Sequence, residues 1–313
     1  MRIVFMGTPE FSTPSLQALI DSTDEVVGVF TQPDRPKGRG GKVQMSPVKQ
    51  LAMQYDIPVF QPKKIRVDGL ADLQKLAPDL CVTAAFGQIL SQATLDVPKI
   101  GTVNVHASLL PRHRGSSPVN WAILQDDAVT GVTTMLTDAG IDTGDMLLKR
   151  EVSITDQDTA GSLLEKLSCT GAALLVETVQ RLKAGNCSRE KQTEADMTYD
   201  PMLNKEMGLL NFSHMTRALF CQVRALNPWP CAYAQTTAGM LKVWGAKPYA
   251  FIHSAAPGTV LVADAKQGLV IATGDGAIEL TEIQAPNSKR MPAKTFLLGR
   301  QIAVNTRLEE ATI

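Results

Sequence analysis

Residues 104–115 read Asn-Val-His-Ala-Ser-Leu-Leu-Pro-Arg-His-Arg-Gly, with an amide and an imidazole two positions apart. Side chains alternate across a strand, so Asn104 and His106 share one face and Val103 and Val105 take the other. The apolar run Ile100-Gly101-Thr102-Val103 leads in, and Pro111 and Gly115 close the loop that follows. The two polar groups therefore stand at the carboxyl end of a buried strand, where open α/β sheets bind ligands. Downstream, residues 131–146 supply a carboxylate, Asp142, in a glycine-flanked turn. This set suits acyl-type transfer. Asn104 can donate to a developing oxyanion, a protonated His106 can do so with charge, and Asp142 can hold that histidine cationic and accept protons, directly or through water. The same residue types also serve structure: a strand histidine as a hydrogen-bonded core residue, an asparagine or an Asp-Thr-Gly as a turn former. Pattern alone leaves both uses open.

Strands alternating with helices must position these groups. The first 154 residues predict strands over 2–6, 26–31, 79–85, 100–105, 131–136 and 146–154. Helices are expected over 12–20 and 48–55. Such alternation implies βαβ units and a Rossmann-like parallel sheet, the first α/β domain, over 1–185. A long amphipathic helix should cover 158–184, where Leu163, Leu167, Leu174, Leu175 and Val179 recur at helical spacing. Only a lone glycine follows the first strand, so neither a dinucleotide fingerprint nor a P-loop is present. Residues 186–204 are polar and read as a linker. From 205 to 313 a helix over 213–226 precedes five short strands, over 231–236, 241–244, 258–262, 269–273 and 277–283, which suggests a small OB-like β-barrel. By pattern, that domain could serve stability or dimerisation as well as nucleic-acid binding.

The chain has 313 residues, 44% hydrophobic and 20% charged, a size that favours two domains. No run reaches the roughly 18 apolar residues of a membrane helix, so no membrane partner is expected. The five cysteines (81, 169, 187, 221, 231) are widely spaced with no Cys-x-x-Cys, which fits a reducing cytoplasm. The four histidines (106, 113, 214, 253) form no metal-ligand pair at helical spacing. Asp138, Asp142 and Asp145 could hold a magnesium ion as clustered carboxylates, but acyl-type transfer needs no Lewis acid, and no metal is expected. Formal charge is zero overall, yet Lys and Arg number 20 against 24 acids through Asn204 and 11 against 7 beyond it. The basic bias of the second half suits a polyanionic partner.

Arg35, Lys37, Arg39, Lys42 and Lys49 fall in a stretch without acids, interrupted by Pro36, Gly38, Gly40, Gly41 and Pro47. It reads either as a solvated loop or as a cationic arm that orders on a phosphate backbone.

Asn104-Val105-His106, Ser108-Leu109-Leu110-Pro111 with Arg114-Gly115, and Asp142-Thr143-Gly144 resemble the signature of the folate-dependent formyltransferases. Val4 to Phe11, Val29 to Pro36 and Asn227-Pro228-Trp229-Pro230 resemble those members that act on methionyl-tRNA. The likeness runs nearly end to end, with departures at Ser91, His113 and Ser116-Ser117, none of them a residue of the proposed triad. It implies that Asn104, His106 and Asp142 are catalytic. The implied formyl donor is 10-formyltetrahydrofolate, lying along Phe86, Gln88, Ile89, Leu90, Ser108, Leu109, Leu110, Pro111 and Asp138. The implied acceptor is initiator methionyl-tRNA, engaged by Arg35, Lys37, Arg39, Lys42 and Lys49, in a cytoplasmic and monomeric protein. The catalytic motif itself would serve equally a relative that formylates a small amine, such as a sugar nucleotide or glycinamide ribonucleotide. An RNA-binding barrel with an inactive α/β partner is disfavoured by the intact triad.

Overall fold

The computed structural model describes residues 1–37 and 42–310. Residues Ile3 to Met6 of strand β1 (Arg2–Gly7) are entirely buried, and residues 80–84, a neighbouring strand, are buried as well. Burial on both faces explains why these strands read as unbroken apolar runs. In chain order the first unit continues with α1 (Thr13–Ile20), β2 (Glu25–Phe30), β3 (Arg35–Lys37), β4 (Lys42–Gln44), α2 (Pro47–Gln54), β5 (Val59–Phe60), α3 (Leu70–Leu76), β6 (Leu80–Ala84), α4 (Gln92–Leu95) and β7 (Gly101–His106). Then follow β8 (Arg114–Gly115), β9 (Val129–Leu136), β10 (Met146–Ser153), most of the long α6 (Ala160–Lys183) and β11 (Tyr199–Asp200); α5 (Pro118–Leu124), between β8 and β9 in the chain, belongs almost wholly to the second unit. The main sheet has the order β10-β9-β7-β6-β1-β2-β5. Five neighbouring strands are parallel, β9 pairs antiparallel with β7, and β10 pairs antiparallel with β9 at the edge. The parallel sheet expected from the sequence thus carries a two-strand antiparallel edge. Strand order reverses between β1 and β6, the switch point where such sheets form a ligand crevice.

Local chemistry sets the element ends. Ser46 caps α2 by accepting from the Lys49 amide at 3.1 Å, with Pro47 in the first turn. The stretch expected to lack regular structure pairs as a short antiparallel ladder, Arg35 with Gln44 and Lys37 with Lys42. At Gly171, α6 lies so close to the sheet that a Cβ there would stand 2.8 Å from Val105 Cγ1. Helix propensity favours alanine over glycine by about 1 kcal/mol, but overpacking a core costs about 1–3 kcal/mol. Gly171→Ala should therefore lower the denaturant midpoint of unfolding, and an unchanged or higher midpoint would refute the close approach.

Contacts divide the chain into 1–118 with 129–153 and 164–200, and a second unit of 119–128 with 154–163 and 201–313. The expected boundaries, 1–185, 186–204 and 205–313, are contiguous; the observed division is not. Asp126 receives two hydrogen bonds from Arg217 (2.6 and 2.8 Å), which hold its carboxyl below the usual carboxylate range. Asn120 Nδ2 donates to the Ala225 carbonyl at 2.6 Å, and Arg224 Nη1 to that of Thr155 at 2.9 Å. Such side-chain partners far along the chain leave no trace in local pattern.

The second unit contains α7 (Thr216–Ala225), β12 (Ala232–Thr236), β13 (Gly239–Tyr249), β14 (Val260–Asp264), β15 (Gly268–Ala272), β16 (Ala277–Gln284), β17 (Met291–Pro292) and α8 (Ala293–Gly299). Its sheet runs β12-β13-β16-β15-β14, with β17 beside β16, all antiparallel. Among the described residues no strand pairing joins β12 to β14, so what is seen of the small OB-like barrel expected is its antiparallel sheet. Leu219 and Val223 of α7 share its core with Leu241, Val243, Ile271 and Leu280.

Candidate active site

The sheet fixes Asn104 and His106 on one face of β7, opposite the face covered at Val105 by α6. Each has a neighbour that sets its orientation. Thr83 on β6, in register with Asn104, donates its hydroxyl to Asn104 Oδ1 at 2.9 Å. With the oxygen so occupied, the Asn104 amino group turns toward Asp142, whose Oδ1 lies 3.5 Å from Nδ2. His106 is 6% exposed, and its Nε2 stands 2.9 Å from the His113 carbonyl oxygen. A carbonyl oxygen only accepts, so Nε2 carries the hydrogen. Nδ1 then faces Asp142 Oδ1 at 3.7 Å.

Asp142 arrives on the loop 137–145, which leaves β9 beside the start of β7, where the Thr137 amide donates to the Thr102 carbonyl. The loop is held from several sides. The Gly115 amide donates to Asp142 Oδ2 at 3.0 Å. Gln192 Nε2 donates to the carbonyls of Asp142 and Gly144, both at 2.8 Å. Asp142 has φ +53°, the left-handed region that non-glycine residues rarely adopt. Backbone strain of that kind is found where surrounding contacts over-determine a functional residue. Gly144 explains the last residue of Asp-Thr-Gly: a Cβ there would fall 1.8 Å from the Leu136 carbonyl oxygen.

The loop after β7 is built on Thr133 of β9, which pairs with His106. Thr133 Oγ1 donates to the Ser108 carbonyl at 2.7 Å and accepts from the Leu110 amide at 3.1 Å. Ser108 is fully buried and gives its hydroxyl to the Arg112 carbonyl at 2.7 Å. Leu110 packs with Met135 and Met146. These two expected folate contacts therefore support the loop from beneath, whereas Leu109 and Pro111 are partly exposed on it.

The segment 86–90 divides in the same way. Phe86 and Leu90 belong to the core with Val4, Met6 and Phe30. Gln88 accepts from the Ile65 amide at 2.7 Å and donates to the Pro62 carbonyl at 3.0 Å, so it braces a neighbouring loop. Ile89 is 74% exposed, the one large apolar side chain that this segment leaves open. Thr8 and Gln32 tie the crevice at the switch point together by donating to the Phe86 carbonyl, both at 3.2 Å. Asp138 accepts from the Gly140 amide and the Thr143 hydroxyl and so closes its own loop. Among the described residues, Asp138, Asp142 and Asp145 form no metal-ligating group.

Of the basic stretch, Arg35 is exposed and reaches Gln32 Oε1 at 3.3 Å. Lys49 is not presented outward: Nζ donates to Asp34 Oδ2 at 2.6 Å and to Gln61 Oε1 at 2.7 Å. Lys49 and Gln61 together hold the Asp34 carboxyl below the usual carboxylate range. Lys49 thus anchors the base of the stretch. Arg39 and the side chains of Lys37 and Lys42 lie outside the described residues. The residues that sequence reasoning missed, Thr83, Thr133 and Gln192, are ordinary polar residues with no motif to mark them.

Residues 1–179 match the family model for formyl transferases, and residues 202–301 match that for the formyl transferase C-terminal domain. The fold also agrees with solved structures. A sugar 3N-formyltransferase, WlaRD, superposes with a TM-score of 0.69 over 92% of this chain and 99% of that one, at 20% identity. HypX from Aquifex aeolicus gives a TM-score of 0.63 over 95% of this chain and 47% of that one, at 19% identity. Nearer relatives carry one name. The methionyl-tRNA formyltransferase of Geotalea daltonii is 49% identical over 98% of each chain, and that of Bacillus subtilis is 48% identical over 96% of this chain and 95% of its own. The chain belongs to the methionyl-tRNA formyltransferase family, enzymes that transfer a formyl group to methionyl-tRNA.

Proposed function

We propose that the donor is 10-formyltetrahydrofolate and the acceptor the amino group of methionine on initiator tRNA, so that the enzyme serves translation initiation. The observation that carries the chemistry is the convergence of Asn104, His106 and Asp142 on one face of β7, each held by a partner of its own. The neutral amine attacks the formyl carbon, and a tetrahedral oxyanion forms. Asn104 Nδ2 donates to that oxygen, as does His106 when Nδ1 is protonated. The proton released by the amine passes to Asp142, directly or through water. The carbon–N10 bond then breaks, and N10 takes a proton from His106 or water, giving formylmethionyl-tRNA and tetrahydrofolate. Because Nε2–H is bound to the His113 carbonyl, Nδ1 is the nitrogen that exchanges protons.

Folate lies over Ile89 and Leu109-Pro111 beside the loop of Asp138, with Phe86, Gln88, Leu90, Ser108 and Leu110 shaping the walls from behind. HypX, of the same fold, has been solved in complex with tetrahydrofolic acid, which supports a folate ligand. Arg35, Lys37, Arg39 and Lys42 contact the phosphate backbone. The second unit, read as an OB-like module, supplies further RNA contacts through its basic excess. The protein is read as a cytoplasmic monomer.

The RNA role of the stretch has a direct test. Removing one phosphate-binding cation should flatten the dependence of log affinity on log salt by about 0.7–0.9. Replacing Arg39 and Lys42 together with alanine should weaken tRNA binding and flatten that slope, with folate affinity unchanged. If binding, slope and formylation at moderate salt all match wild type, the stretch is a solvated surface.

A further inference from the structure

A second histidine–carboxylate pair lies behind the site. His113 Nδ1 donates to Asp200 Oδ2 at 2.8 Å, and the two side chains are 4% and 1% exposed. Burying such a pair is costly, and apolar side chains of similar volume are often as stabilising. A role in stability alone is therefore a weak account of it.

What the pair holds is the backbone of His113. That residue sits at φ +60°, left-handed. Its amide donates to Thr198 Oγ1 at 2.7 Å, and the next amide, of Arg114, donates to the Thr198 carbonyl at 2.9 Å. Strands β8 and β11 pair here, Arg114 with Tyr199 and Gly115 with Asp200. Two groups on this clamped segment touch the triad. The His113 carbonyl accepts from His106 Nε2, and the Gly115 amide donates to Asp142 Oδ2. Further along the same strap, Gln192 holds the Asp142 carbonyl and accepts from Arg114 Nε at 2.9 Å. The polar residues 186–204, which local sequence presents as a linker, thus supply Gln192, Thr198 and Asp200 to the rear of the site.

We propose that Asp200 and His113 are positioning residues for His106. Asp200 locks the His113 ring, and the ring fixes the left-handed backbone. The carbonyl so aimed imposes the Nε2–H tautomer on His106, leaving Nδ1 for proton exchange beside Asp142. The proposal rests on the catalytic reading of His106 given above. A misplaced tautomer or an ångström-scale shift is the kind of error that costs an enzyme turnover more than substrate binding.

The test uses the full-length enzyme labelled with 15N in its four histidines. Long-range proton–nitrogen spectra report each ring's tautomer, and wild-type His106 is expected as Nε2–H. Asp200→Ala should mix the His106 tautomers and lower kcat by about 10-fold, while both KM values stay within about twofold. Asp200→Asn retains an oxygen acceptor and should restore most of the loss. His113→Asn, which tolerates the left-handed backbone, should behave like Asp200→Ala and replaces it if that variant does not fold. An unchanged His106 spectrum and kcat in a folded variant would overturn the proposal. His106→Asn, assayed alongside, separates the two claims. If it retains near-normal turnover, the catalytic reading fails, whereas the tautomer spectra still decide whether Asp200 and His113 set the ring.

Discussion

Asp142→Asn is expected to lower kcat by about 10²–10⁴, the range over which a positioned acid or base contributes, while tRNA affinity and the unfolding midpoint stay close to wild type. The geometry gives the reason. Asparagine tolerates the left-handed backbone that Asp142 adopts. Its carbonyl oxygen can still accept from the Gly115 amide, which occupies Oδ2 in the wild type. Its amino group then faces Asn104 Nδ2 and His106 Nδ1, where Oδ1 stands in the wild type. That group accepts no proton from the attacking amine, and it meets two donors when His106 is protonated. Turnover within a few-fold of wild type, measured at saturating formyl donor and methionyl-tRNA, would remove Asp142 from the proton pathway.

Asn104→Ala should cost about 10²–10³ in kcat, the scale of one preorganised oxyanion donor. The side chain is half-buried and faces the site, so the fold should tolerate its removal. The variant also leaves the Thr83 hydroxyl without its acceptor at 2.9 Å. A hydroxyl can rotate toward the Val103 carbonyl, 3.5 Å away, which limits the stability cost. The effect should therefore appear in kcat rather than in KM for either substrate or in the unfolding midpoint. A defect confined to KM would mean that Asn104 binds ground-state substrate rather than the oxyanion.

The strands around the site were legible in the sequence because burial on both faces forces continuous apolar runs, as in Ile3 to Met6 and Leu80 to Ala84. The reversed direction of β9, between β7 and β10, was not, since apolar alternation carries no strand polarity. The shared face of Asn104 and His106 follows from the period of two, and their distances to Asp142 come within reach only through the fold. Ser108 and Lys49 show the limit from the other side. Each is a polar residue in a promising segment, and each is consumed by a partner that local pattern cannot name, the Arg112 carbonyl and Asp34. The strap from Gln192 to Asp200 was hidden for the same reason. Its polar composition suggests solvent, yet its side chains bond the backbone around the triad and the His113 ring behind it.

The central claim is the pairing of donor with acceptor, and one assay tests it most directly. Purified enzyme is offered 10-formyltetrahydrofolate together with methionyl-tRNA, and in a parallel reaction with a small amine such as an amino-sugar nucleotide, and the formylated product is identified by mass. The account predicts formylmethionyl-tRNA in the first reaction and unmodified amine in the second. Formylation of the small amine with methionyl-tRNA left intact would contradict it.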